Sequence, residues 1–159
     1  MYEKWVERPT FVLYTMEEIR EIIEMHIAPD IELLSVKIDS NSSFIKVVID
    51  SANAISVDKT AMLAREIKNN EHIISKFPQG VRLEVGTPGI GSKLEKIFQY
   101  KKNIGREIEL EYHGKDNIIK EKFLLSDANE TGIIVKNDKT KYGIDYSDII
   151  SAIVKISFD

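Results

Sequence analysis

Residues 85–94 read VGTPGIGSKL, three glycines and a proline directly behind an apolar strand, and the chain follows different rules on either side of them. Upstream, helical and strand periodicities alternate. Downstream, nearly every apolar run is short and strand-like. A chain with this break is expected to fold as two bodies that meet at the glycines.

The upstream half opens on TMEEIREIIEMHIAP. Thr15 and Glu18 have the spacing of a capping box, in which each side chain satisfies an orphan backbone N–H. Ile19, Ile22, Ile23 and Ile27 share one helical face, and Pro29, which has no N–H to donate, ends the helix. In IELLSVKI, Leu34, Val36 and Ile38 alternate as in a half-buried strand. The turn residues DSNSS separate it from FIKVVID, a spacing that predicts an antiparallel hairpin. SVDKTAMLAREIKNN reads as a helix with Ser56 as N-cap and Val57, Thr60, Ala61, Ala64 and Ile67 on one face. VRLEV closes the half, with Val81, Leu83 and Val85 on one side and Arg82 and Glu84 on the other. The order helix, strand, strand, helix, strand predicts a two-layer α/β domain, with two helices over a three-stranded sheet. The last crossover is long enough to make the third strand parallel.

After the glycines, KLEKIFQYKKNIG predicts a short helix with Leu94, Ile97, Phe98 and Lys101 in register, stopped by Gly105. Five strand-like runs follow: REIELEYH, NIIKEKFLL, TGIIVK, KYGIDY and SAIVKIS. Separated by turn signals, they suggest a small β-barrel. The expected organisation is an α+β chain: an extension over 1–14, an α/β domain over 15–92, a linker with a short helix over 93–105, and a barrel over 106–159.

Charge narrows the partners. The net charge is −4, and neither half is basic: residues 1–93 hold 11 basic and 14 acidic side chains, residues 94–159 hold 11 and 12. Tight binding to bare nucleic acid through many phosphates would call for an excess of Lys and Arg; the one local excess is YKKNIGR. An acidic chain suits a basic protein partner better, and no DNA partner is expected. Cysteine is absent, which removes disulfides, thiolate metal sites and thiol catalysis and suits a cytoplasmic setting. No apolar run approaches the ~18 residues of a membrane span. The charged start MYEKWVERPTF does not read as a secretory signal.

The glycine stretch invites a nucleotide-binding reading. Gly86 and Gly91 have the spacing of a phosphate loop, G-x-x-x-x-G-K-[ST], but Ser92 and Lys93 follow in reversed order. The lysine would then miss the phosphates and the hydroxyl would miss the metal. Gly86 to Gly89 also matches the GXXG clamp of KH modules, which lies between two helices rather than behind a strand. A type II turn on Pro88 and Gly89 accounts for the composition, with Gly89 supplying a positive φ. His26 has no second ligand at metal-binding spacing. His72 and His113 have no triad partners. No catalytic residue, cofactor or metal is expected.

VRLEVGTPGIGSKL followed by NIGREIELEY resembles the signature of the RimP family of ribosome maturation factors. That family closes its first domain with a Leu-Glu-Val-Ser-Ser-Pro-Gly-Leu-Asp-Arg-Pro-Leu type of motif and opens its second with a short Phe-containing helix and Ile-Gly-Arg. Leu83, Glu84, Val85, Pro88, Gly89, Leu94, Phe98, Ile104, Gly105 and Arg106 match. VVIDS and ISVDKTAMLAREI resemble the family's Ile-Asp strand and the helix after it, so the likeness runs in order over residues 15–158. Gly91, Ser92 and Lys93 stand where the family has Asp-Arg-Pro, and Gly86 and Thr87 where it has two serines. Glu121 and Lys122 occupy the region of an expected glycine, and the extension through Tyr14 lies outside the pattern.

The resemblance implies an SH3/Sm-like second domain and a non-catalytic role: binding the immature 30S subunit and assisting its assembly. A basic small-subunit ribosomal protein and nearby 16S rRNA would be the contacts, with no membrane, and the protein is expected to be a monomer. Candidate binding residues are Glu84, Thr87, Pro88, Gly89, Lys101, Lys102 and Arg106. Glu84 would accept from a basic partner or brace the loop, or else is a solvated strand carboxylate. Thr87, Pro88 and Gly89 would shape the loop. Lys101 and Lys102 would meet rRNA or lie on a solvated face. Arg106 would pair with a carboxylate at the domain junction or bind phosphate. A stand-alone module recognising a peptide or RNA unrelated to ribosomes is the alternative.

Overall fold

The computed structural model describes residues 16–156. The extension through Tyr14 and the Thr15 half of the expected capping box lie outside them. The chain divides after Pro88 into two compact units, each with its own apolar core.

The first unit runs α1 (16–26), β1 (Ile31–Asp39), β2 (Phe44–Ser51), α2 (Val57–Lys68), α3 (Glu71–Lys76) and β3 (Arg82–Gly86). β1 and β2 are antiparallel, β3 is parallel to β2, and β2 is central, so the sheet is mixed as expected. Asp39 forms the hairpin turn: its carboxylate accepts from the Asn41 and Ser42 amides and the Ser42 hydroxyl. Ile45, Val47 and Ile49 of β2 are buried against Ile19 and Ile23 of α1, Leu63 and Ile67 of α2, and Ile73 of α3. Each such side chain withdrawn from water contributes about 1.5–3 kcal/mol, which is why the helices cover that face. Val81, Leu83 and Val85 join the same core while Arg82 and Glu84 point outward.

Three expectations change. A β-bulge between Leu33 and Ser35 makes Leu34 the extra residue, so Leu33, not Leu34, joins Val36 and Ile38 on the core. An inserted residue reverses the alternation behind it. Ser56 does cap α2, accepting from the Lys59 amide at 3.2 Å. The buried face, however, is Leu63 and Ile67; Val57 is 82% exposed and Ala61 is exposed. Finally, the helical stretch ends at Asn69. Asn70 then accepts from the His72 amide at 2.9 Å and starts α3. With only Ile73 buried in six residues, α3 has no periodicity to read.

The second unit contains α4 (Ile97–Lys102) and β4 (Glu107–His113), β5 (Ile118–Ala128), β6 (Gly132–Lys136), β7 (Lys141–Asp145) and β8 (Ile149–Val154), with a 3-10 turn at Tyr146–Asp148. The five strands form one antiparallel sheet, ordered β7-β6-β5-β4-β8. Alternate residues, among them Ile108, Leu110, Phe123, Leu125, Ile133 and Val135, build the core, which Tyr100 of α4 joins. The edge strands β7 and β8 are not paired with each other, so the expected closure into a barrel is not made by strand pairing. The free edge of β8 is engaged elsewhere: Ile153 bridges Lys93, and Ala152 accepts from the Leu94 amide at 2.8 Å.

Candidate functional site

Thr87, Gly89, Ile90, Gly91, Ser92 and Lys93 are exposed between β3 and the Leu94 contact with β8. The Ser92 amide donates to the Gly89 carbonyl at 3.1 Å, closing a four-residue turn with Ile90 and Gly91 at its corners. Gly91 has φ +81, the value a type II turn needs at its third position. Gly89 is not among the positive-φ glycines, which are Gly80, Gly91 and Gly105. The turn expected on Pro88 and Gly89 therefore lies two residues later. The chain must reverse immediately before Lys93 and Leu94 run beside β8, and that places the left-handed residue at Gly91.

Two amides at the end of the loop are committed to this geometry. Ser92 bonds within the turn, Leu94 bonds to β8, and the next helix starts only at Ile97. A phosphate loop instead converges its amides on a helix start immediately behind it. Here Gln99 caps that later helix, its Oε1 accepting from the Glu95 and Lys96 amides at 2.8 and 2.9 Å.

The seven candidate residues divide between the units. In the first, Glu84 is exposed on β3 opposite Lys46 of β2, with the Arg82 guanidinium 4.0 Å from its carboxylate. Arg82 also lies over the Phe44 ring at 5.0 Å. Thr87 is exposed and Pro88 half-buried. In the second, Gly89 begins the turn and Lys101 donates to Glu130 at 3.1 Å. The Lys102 ammonium lies 5.8 Å from the Phe98 ring centroid. The buried residues of α4 are Gln99 and Tyr100, with Asn103 at its C-cap, so Lys101 and Phe98 are not its core register, and the helix ends at Asn103 rather than Gly105. Arg106 is exposed, and its Nη1 donates to Asn103 Oδ1 at 3.3 Å. Its backbone is held by β5, with the Leu125 amide donating to the Arg106 carbonyl at 2.9 Å. His26 Nε2 lies 3.3 Å from the Asn70 side-chain nitrogen.

On the strands of the second unit, Glu109 accepts from Lys155 at 3.1 Å and lies 3.6 Å from Lys120. The Lys155 hydrogen bond holds its carboxyl below the usual glutamate range, against a smaller opposing effect of burial. Sequence reading passed over Lys122, Lys136, Lys139 and Lys141, which line a single cleft of about 800 Å³. They come from β5, β6, the following turn and β7, so only strand register assembles them. Among the described residues no helix is long and apolar enough to cross a membrane.

The class is thus an α+β protein of two compact units: a mixed three-stranded sheet under helices, then a five-stranded antiparallel sheet. Residues 22–91 match the model of the RimP N-terminal domain family. Two curated proteins named ribosome maturation factor RimP are similar to the chain. That of Christiangramia forsetii is 28% identical over 155 residues, spanning 89% of this chain and 98% of that protein. That of Flavobacterium psychrophilum is 28% identical over 96 residues, spanning 59% of this chain and 60% of that protein. The chain thus carries a RimP N-terminal domain over residues 22–91 and is similar to RimP proteins along most of its length.

Proposed function

We propose that this protein is a ribosome maturation factor that binds the immature 30S subunit and assists its assembly without catalysis. The observation that carries the reading is the likeness to the Christiangramia forsetii factor, which extends through both units and nearly the whole of that protein. The two units act as its domains, and the second is SH3/Sm-like. Its strand order and the 3-10 turn between the edge strands support that description. The chain acts in the cytoplasm as a monomer and needs no cofactor. A basic small-subunit ribosomal protein is the direct partner, as suits an acidic chain, with 16S rRNA beside it. Glu84 and the Thr87-Pro88-Gly89 bend serve the protein contact. Lys101, Lys102 and Arg106, exposed around α4, serve the rRNA.

The test is sedimentation of the tagged chain with ribosomal particles from cells. Co-migration with free small subunits, and not with translating ribosomes, is expected. A profile spread evenly through the gradient, or one without small subunits, overturns the proposal and favours an unrelated binding module.

A further inference from the structure

The β6–β7 hairpin carries a charge arrangement that the fold does not need. Lys136 and Lys141 are direct cross-strand partners, and like charges placed directly opposite destabilise a sheet. Lys139 occupies the turn between them. That turn is held in one shape: Asn137 Oδ1 accepts from the Lys139 and Thr140 amides at 3.2 and 3.1 Å, and the Asn137 amide donates to the Thr140 carbonyl. Lys122 enters the same cleft from β5. All four lysines are exposed, and none has an ion pair among the described residues. Lys120 and Lys155 nearby are, by contrast, engaged by Glu109.

We infer that this cleft is a binding site for the phosphodiester backbone of single-stranded RNA, with Lys122, Lys136, Lys139 and Lys141 as its cationic contacts. Three ammonium groups without an ion pair along the hairpin, with Lys122 beside them on β5 opposite Glu109, suit an anion whose charges are themselves spaced along a chain. Glu107, Glu121 and Asp138 also line the cleft. Those carboxylates would repel an acidic peptide without compensation. An RNA strand, however, presents 2′-hydroxyl donors that carboxylates accept, the group by which proteins separate RNA from DNA. The inference deepens the ribosome reading and rests on it for its setting, but it concerns residues that reading does not use.

The test measures fluorescence anisotropy of a labelled oligouridylate titrated with the full chain over a range of salt. The wild type is expected to bind with salt-dependent affinity, more tightly than to the deoxy analogue, and not to be displaced by polyglutamate. The Lys136→Ala/Lys141→Ala variant is expected to bind about tenfold more weakly, with the logarithmic salt slope shallower by about 1.4, the value for two lost contacts on a single strand. Its thermal midpoint should not fall, because a like-charge pair has been removed. Unchanged RNA affinity in a folded variant, or displacement by polyglutamate, overturns the site. Sedimentation of the wild type separates the two ideas when it is read beside the anisotropy of the variant. Small-subunit association with no RNA defect sinks only this site, whereas a lysine-dependent RNA affinity without small-subunit association sinks only the ribosome reading.

Discussion

Tyr100 of α4 and Tyr146 of the 3-10 turn pack with ring centroids 5.3 Å apart and planes tilted by 50°. The Tyr100 hydroxyl donates to the Leu94 carbonyl at 3.2 Å, and the Tyr146 hydroxyl donates to the Asn129 carbonyl at 2.8 Å. This pair joins the segment after the glycine turn to the loops of the five-stranded sheet. It adds to the Gln99 cap and the buried Asn103 in holding the short α4, since six residues are too few for a helix stable by itself.

Burial, then the Tyr146 phenol once it ionises in alkali, and then the Glu95 carboxylate push the Tyr100 phenol up from its ordinary value to about 12. The unfolded chain loses this proton near pH 10 and the folded chain only near 12. Stability from this group is therefore complete below about pH 10 and declines between about 10 and 12. Alkaline denaturation should show a shallower decline in that window for Tyr100→Phe than for the wild type. Parallel curves would mean that the phenol does not couple to folding.

Gly132 tests how closely β6 and β7 approach. A Cβ there would run into the Ile144 carbonyl and come within 3.0 Å of Asp145 Cα. Both are backbone atoms fixed by strand pairing, so the strands themselves must shift. Gly132→Ala is expected to destabilise the second unit by about 1–3 kcal/mol, read as a lower urea midpoint. A change within error would show that the sheet yields there.

The glycine stretch yields a paired comparison. Gly91→Ala places a side chain at φ +81 and should cost about 1 kcal/mol, whereas Gly89→Ala, at an ordinary φ and with open space around the new methyl, should be neutral or slightly stabilising. The reverse order in thermal melts would return the turn to Pro88 and Gly89.

Glu109 sets an acid limit. Because its folded pKa is depressed, its stabilisation is present above the ordinary glutamate range and lost as pH falls through the folded value. The stability difference between wild type and Glu109→Gln should therefore shrink on acidification below the ordinary range. A gap that stays constant from neutral to strongly acid conditions would argue against the Lys155 pairing in solution.

Much of the first unit was legible in residue order. Ile19, Ile22 and Ile23 mark one helical face, Val81, Leu83 and Val85 one strand face, and Ser56 a cap, because each signal is local to a turn or a pleat. Leu34 was misread because a bulge adds a residue without any composition to announce it. The turn at Gly91 was misplaced because two glycines fit equally well, and only the pairing of Lys93 and Leu94 with β8 separates them.

Residue order by itself determined the break at the glycines, the strand and helix types on either side, and the likeness to the RimP family, all of which depend on neighbours in the chain. Tertiary structure alone decided which strand edge stays open and which lysines stand together. Lys122, Lys136 and Lys141 lie on three strands, and hydrogen-bond register, a relation between residues far apart in sequence, is what sets them around one cleft.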